Sequence, residues 1–201
     1  MRLFLAAAFP EDVLRALNER VSPVKTRVPP ATWVRPETQH LTFAFLGEQD
    51  EALIEQLAPL VEQELSGVGR FEGTLRGSGF FPNPRHARVG WIGVEPEERF
   101  QTVARGVRAA VERAGIHLDQ SEFKPHLTVM RTREGWPPLS IDIFNKALRD
   151  FRSQPFTVDT VTLYSSELNP KGAIHTPVRR FALALTPGPS PASGRGVPKA
   201  G

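Results

Sequence analysis

The chain has 201 residues, of which 40% are hydrophobic and 23% charged, enough to build a substantial core as one domain or as two small lobes. Its formal net charge is +3, but Arg195 and Lys199 near the C-terminus carry two of those charges, so the high pI does not by itself establish nucleic-acid binding. There are no cysteines, which excludes disulfides, a thiol nucleophile and any cysteine-ligated metal.

The apolar start, Leu3 to Phe9, carries a single positive charge and runs directly into an amphipathic pattern, so it reads as a strand over 2–9 rather than a secretory signal. Pro10 opens a helix over 10–21, at the end of a helix where proline is favoured. A strand follows at 40–46, a helix at 50–65, and strands at 71–81 and 87–94. Pro96 opens the next helix, 97–114, before a strand at 126–131, a helix at 141–151 and strands at 156–165 and 177–185. Two pairs of consecutive strands lack an intervening helix, which argues for antiparallel pairing and an α+β fold with helices outside the sheets. From Thr186 onward Pro, Gly, Ser and Ala dominate. Residues 1–186 are expected to form one bilobal domain and residues 187–201 a flexible tail. No stretch approaches the roughly 18 apolar residues of a membrane span, so a soluble, cytoplasmic protein is expected.

One tripeptide occurs twice. His40-Leu41-Thr42 lies in QHLTFAFLG, and His126-Leu127-Thr128 lies in KPHLTVMR. Each copy alternates polar and apolar residues as a half-buried strand does, so each aims an imidazole and a hydroxyl at one face. Their surroundings repeat too. Pro10 stands 30 positions before His40 and Pro96 stands 30 before His126, so a single offset of 86 carries proline onto proline and histidine onto histidine. The chain reads as two similar halves, not a solenoid, which needs at least three repeats. A pseudo-twofold relation would set the two motif strands across a cleft, each contributing one His and one Thr.

That set of groups suits a phosphodiester. One imidazole can activate the attacking oxygen while the other protonates the departing one, because both titrate near neutrality. The hydroxyls of Thr42 and Thr128 can donate to the phosphoryl oxygens as negative charge grows there. No metal or other cofactor is called for.

These residues resemble the 2H phosphoesterase superfamily, and within it the bacterial and archaeal RNA 2′,3′-cyclic phosphodiesterases, once called 2′-5′ RNA ligases. The likeness rests on HLTF and HLTV, on FAFLGE after the first, on FKPHLTVMR around the second and on the start RLFLAAAFP, and it covers the chain up to about Thr186. It implies a bilobal, duplicated α+β fold with two antiparallel sheets lining a central cleft. It also implies hydrolysis of a terminal RNA 2′,3′-cyclic phosphate to a 2′-phosphate, with reversible 2′-5′ joining of RNA ends as a related reaction. By the same resemblance His40 is the proton donor and His126 the proton acceptor, with Thr42 and Thr128 on the phosphoryl oxygens. RNA with cyclic phosphate ends, tRNA fragments among them, is then the partner, and no obligate protein partner is implied.

Two further residues are substrate-binding candidates. Family members often carry a tyrosine before the final strand; here the segment is Ile174-His175-Thr176-Pro177-Val178, so His175 either takes over that contact or is a loop residue. Arg131 is shared by many members, but strict alternation puts it on the face opposite His126. Arg85, His86 and Arg88 form one basic cluster, Arg131 and Arg133 a second, and Lys171, Arg179 and Arg180 a third; a solvated surface is the simpler reading of each. His117 and Asp119 imitate a metal pair without a third ligand. Trp91, in an apolar run, reads as core. The competing functions are a module that holds a nucleotide or RNA end without turnover, and a phosphodiesterase for small cyclic nucleotides.

Overall fold

A computed structural model describes residues 1–119, 122–170 and 172–185. The segment expected to be a tail lies outside the described residues. The chain order is β1 (Arg2–Ala7), α1 (Glu11–Val21), β2 (Thr32–Trp33), β3 (Leu41–Glu48), α2 (Ala52–Leu65), β4 (Phe71–Phe81), β5 (Val89–Glu95), α3 (Glu97–Arg113), β6 (His126–Arg131), α4 (Pro138–Leu148), β7 (Phe156–Val158), β8 (Thr160–Asn169) and β9 (Gly172–Ala182). The fold is α+β, as expected.

The repeated prolines do what their spacing suggests. Pro10 and Pro96 are the N-caps of α1 and α3, and each is followed by two acidic residues, Glu11-Asp12 and Glu97-Glu98, which complement the positive end of the helix dipole. Along α3 the buried residues Phe100, Val103, Ala104, Val107, Ala110 and Val111 recur at helical spacing and form one apolar stripe. Helix α3 packs on α2, and α1 packs on α4. A single contiguous core joins these stripes to the inner faces of the strands.

Among the described residues every pairing between these strands is antiparallel. One sheet has the order β3-β1-β8-β9 and the other β2-β6-β5-β4-β7. Each sheet therefore mixes the two halves of the chain: β4 from the first half joins β5, while β8 and β9 from the second half join β1. The edge strand β3 packs against β6, which brings the two repeated motifs together.

Four features differ most from expectation. Helix α4 begins three residues early, because Pro137 caps it and Pro138 occupies its first position. The strand expected over 156–165 breaks at Asp159 into β7 and β8, which enter different sheets. Strand β9 starts at Gly172 and holds Pro177 within it, tolerated because β9 is an edge strand and needs no outward N–H. The two-residue β2 is too short to leave a periodic signal.

Candidate active site

His40 immediately precedes β3 and His126 is the first residue of β6. Both rings are anchored in the same way. Nδ1 of His40 lies 2.8 Å from the Thr38 carbonyl, and Nδ1 of His126 lies 2.7 Å from the Lys124 carbonyl. A carbonyl only accepts, so each Nδ1 carries the hydrogen and donates it. That leaves Nε2 as the free, proton-exchanging nitrogen of each neutral ring. The repeat thus extends from residue type to tautomer.

The strands that follow share an irregularity. Opposite β1, the register steps from Leu5↔Ala44 to Ala6↔Thr42, leaving Phe43 as an extra residue. Opposite β5, it steps from Gly90↔Met130 to Trp91↔Thr128, leaving Val129 as the extra residue. Both are β-bulges at the same position of the repeat, and a bulge shifts the alternation by one. Consecutive residues, Phe43-Ala44 and Val129-Met130, are accordingly both buried. Beyond the bulge Arg131 returns to the face of His126 and Thr128, so the expectation of an opposite face is corrected. The guanidinium of Arg131 is exposed and close enough for its charge to act on both histidines.

The residue equivalent to Arg131 in the first copy is Phe45, which the sequence reading passed over. It is 66% exposed on the His40 face, beside Phe4 at 5.9 Å between ring centres. The bulge is also why it escaped notice, since simple alternation gives it the wrong side. Thr42 sits across from Ala6 and Thr128 across from Trp91. Neither hydroxyl bonds another protein group among the described residues, so both are free to meet a ligand.

Aromatic rings hold the imidazoles in place. Phe4 stacks on His40 at 4.7 Å and on Tyr164 at 5.3 Å. On the other side Phe81 meets His126 edge-on at 4.8 Å, and Trp91 lies 6.2 Å from it. Trp91 is only 8% exposed, yet it packs beside His126 and under the Lys124 ammonium rather than in the main core. It lies against Gly79, where any Cβ would collide with the indole. His175 is not a loop residue. It lies in β9 opposite Ser166, with its ring edge-on to His40 at 5.1 Å and its Nδ1 buried without a partner.

Burial sets the acidities. Loss of solvation pushes His40 down to about 4; its bond to the Thr38 carbonyl opposes this, and the positive charges of His175, Arg131 and His126 add to it. His126 is lowered from 6.5 by burial, opposed by its bond to Lys124 and reinforced by Arg131 and the Lys124 ammonium. His175 is lowered by burial. A cavity of about 900 Å³ opens beside His40, walled by Phe4, Tyr164, His175, Lys25 and α1, and no residue of β6 lines it.

The remaining candidates fall elsewhere. His86 and His117 are exposed, and no group of three His, Asp or Glu that could hold a metal occurs among the described residues. Arg179 is taken up by Glu62 at 3.1 Å and Glu55 at 4.0 Å, and Lys171 lies outside the described residues. No helix is long and apolar enough to cross a membrane.

Residues 7–170 match the model of the 2′-5′ RNA ligase superfamily. The chain belongs to that superfamily. Curated relatives within the 2′-5′ RNA ligase superfamily carry the name RNA 2′,3′-cyclic phosphodiesterase. The one from Archaeoglobus fulgidus is 36% identical, over 90% of this chain and 99% of its own. The one from Thermus thermophilus is 33% identical, over 98% of this chain and 97% of its own. Among solved structures, a Thermus thermophilus protein superposes with a TM-score of 0.74 at 32% identity, covering 94% of this chain and all of that one. Escherichia coli LigT complexed with 3′-AMP gives 0.69 at 26% identity, covering 90% of this chain and 97% of that one.

Proposed function

We propose that this protein hydrolyses the 2′,3′-cyclic phosphate at RNA ends to a 2′-phosphate, by proton transfer through His40 and His126 without a metal. The observation that carries this reading is the matched pair of anchored imidazoles, each with a free Nε2 and each beside an unpartnered threonine hydroxyl and within the field of Arg131. The names of the relatives support the substrate class.

The asymmetry of the cavity supports the division of labour. In an in-line displacement the nucleophile and the leaving oxygen stand on opposite sides of phosphorus. With the ribose in the cavity of about 900 Å³ beside His40, the departing oxygen, the 3′ oxygen by the family resemblance, faces His40 and water enters from His126. His126 Nε2 then takes a proton from water as the water oxygen bonds to phosphorus. The bond from phosphorus to the 3′ oxygen breaks, and His40 Nε2–H gives its proton to that oxygen. Thr42, Thr128 and Arg131 donate to the non-bridging oxygens. Phe45 offers a face for a nucleobase, and His175, whose orphaned Nδ1 favours the Nε2–H tautomer, offers a donor to the ribose or phosphate. With an RNA 5′-hydroxyl in place of water, the same displacement, breaking the bond to the 3′ oxygen, joins ends through a 2′-5′ linkage.

The test is product identification in EDTA, using an oligoribonucleotide with a 2′,3′-cyclic phosphate end. A 2′-phosphate is expected; a 3′-phosphate would reverse the leaving-group assignment, and dependence on added metal would sink the two-histidine mechanism.

The acidities give a second expectation. The productive free enzyme carries a proton on His40 and none on His126, and kcat/KM reports the free enzyme. Both histidines titrate below the usual value of 6.5, His40 at about 4. Above that range the productive form loses its proton, so kcat/KM falls about tenfold for each added pH unit. The maximum lies on the acid side of 6.5. The kcat profile breaks at higher pH, because the bound phosphate favours imidazolium. A kcat/KM flat to pH 8 would contradict this.

A further inference from the structure

Two basic segments far apart in sequence become neighbours in the fold. Val89 pairs with Arg131 on the β5–β6 ladder, and the Thr132 N–H donates to the Arg88 carbonyl at 2.9 Å. Arg85 and His86 lie just before, on a short turn whose backbone N–H groups are capped by the Asn83 side chain at 3.0 and 3.1 Å. The side chains of Arg85, Arg88, Arg131 and Arg133 are exposed, and none has an ion-pair or hydrogen-bond partner among the described residues. The contrast with other arginines is clear: Arg2, Arg76, Arg113, Arg152 and Arg179 all face carboxylates. The nearest acid in sequence, Glu134, makes no ion pair among the described residues; its carbonyl accepts from the Thr132 hydroxyl.

Four like charges gathered without counter-charges repel one another, and a polyanion relieves that repulsion. The ridge begins at Arg131, which shares the histidine face, and leads outward along the end of the second sheet. We infer that Arg85, Arg88 and Arg133 bind the phosphodiester backbone of a single-stranded RNA whose reacting end lies between His40 and His126. This deepens the phosphodiesterase reading and rests on it. A small cyclic nucleotide has one phosphate, held at the histidines, and gives the outer arginines nothing to bind. Exposed arginines that contact phosphates position a strand without reading its sequence, so the ridge confers a preference for length rather than for bases.

The experiment compares the full-length protein with its Arg85→Ala/Arg88→Ala/Arg133→Ala variant. The substrates are a mononucleoside 2′,3′-cyclic phosphate and a short oligoribonucleotide with the same end, each assayed across a salt series. In the variant, the slope of log KM for the oligomer against log salt should shrink by about 2, from about 0.7 for each of three phosphates, and KM at low salt should rise about tenfold or more. The mononucleotide kcat/KM should not change. Anisotropy with a labelled, unreactive strand ending in a 3′-phosphate makes the same comparison without chemistry. Unchanged oligomer affinity and salt slope in the variant would overturn the ridge as an RNA site. If wild type turns over neither substrate, the phosphodiesterase reading falls, and the anisotropy still decides whether the ridge holds RNA.

Discussion

His40→Ala and His126→Ala should each lower turnover of a cyclic phosphate end by about 10²–10⁴-fold, the usual worth of a positioned proton-transfer group. The double variant should fall little further than the worse single one, because both protons move in one displacement and the losses do not add. The two variants are separable by leaving group. An aryl phosphodiester that expels nitrophenolate needs no acid, since that oxygen leaves as a stable anion. On such a substrate His40→Ala should recover most of wild-type activity, while His126→Ala should not. The opposite pattern would exchange the roles, and turnover persisting in either variant on the RNA substrate would remove both. Both rings are half-buried and packed against aromatic neighbours, so a thermal melt beside each assay separates lost chemistry from lost fold.

Arg131→Ala should lower kcat/KM by about 10²–10³-fold, as loss of one preorganised donor to a charged transition state does. It carries a second signature. Arg131 lowers the pKa of both His40 and His126. Removing its charge lets both imidazoles hold their protons to higher pH, so the alkaline limb of kcat/KM moves upward even as its height falls. Arg131→Lys should keep the limb in place while recovering only part of the rate, since an ammonium lacks the planar two-point donor. A variant with nearly full activity and an unshifted limb would mean that Arg131 touches neither phosphate nor the histidine field.

The basic half of the site shows how far residue patterning reaches. Period-two alternation placed His40 with Thr42 and His126 with Thr128, because that rule involves only a strand's own backbone. It misplaced Arg131 and hid Phe45, because a bulge is a property of a strand pair, in which two residues face one on the neighbour. His175 has a similar history. It follows a segment without a strong apolar rhythm, and its place on the site face comes from the β8–β9 register, which carries Ser166 opposite His175.

What the sequence by itself determined was the repeated chemistry: two His-x-Thr strands, each reached through a proline-capped helix, at one offset along the chain. Those features are local, written in alternation, helix period and capping, and they survive without knowledge of any partner strand. Tertiary structure alone decided the rest. It exchanged β4 and the β8–β9 pair between the sheets, set β3 against β6, returned Arg131 to the face of His126 and Thr128 and brought Arg85 and Arg88 beside the segment of Arg133. Each of these depends on which strands share hydrogen bonds and in what register, and contacts between residues so distant in sequence are chosen only when the whole core packs.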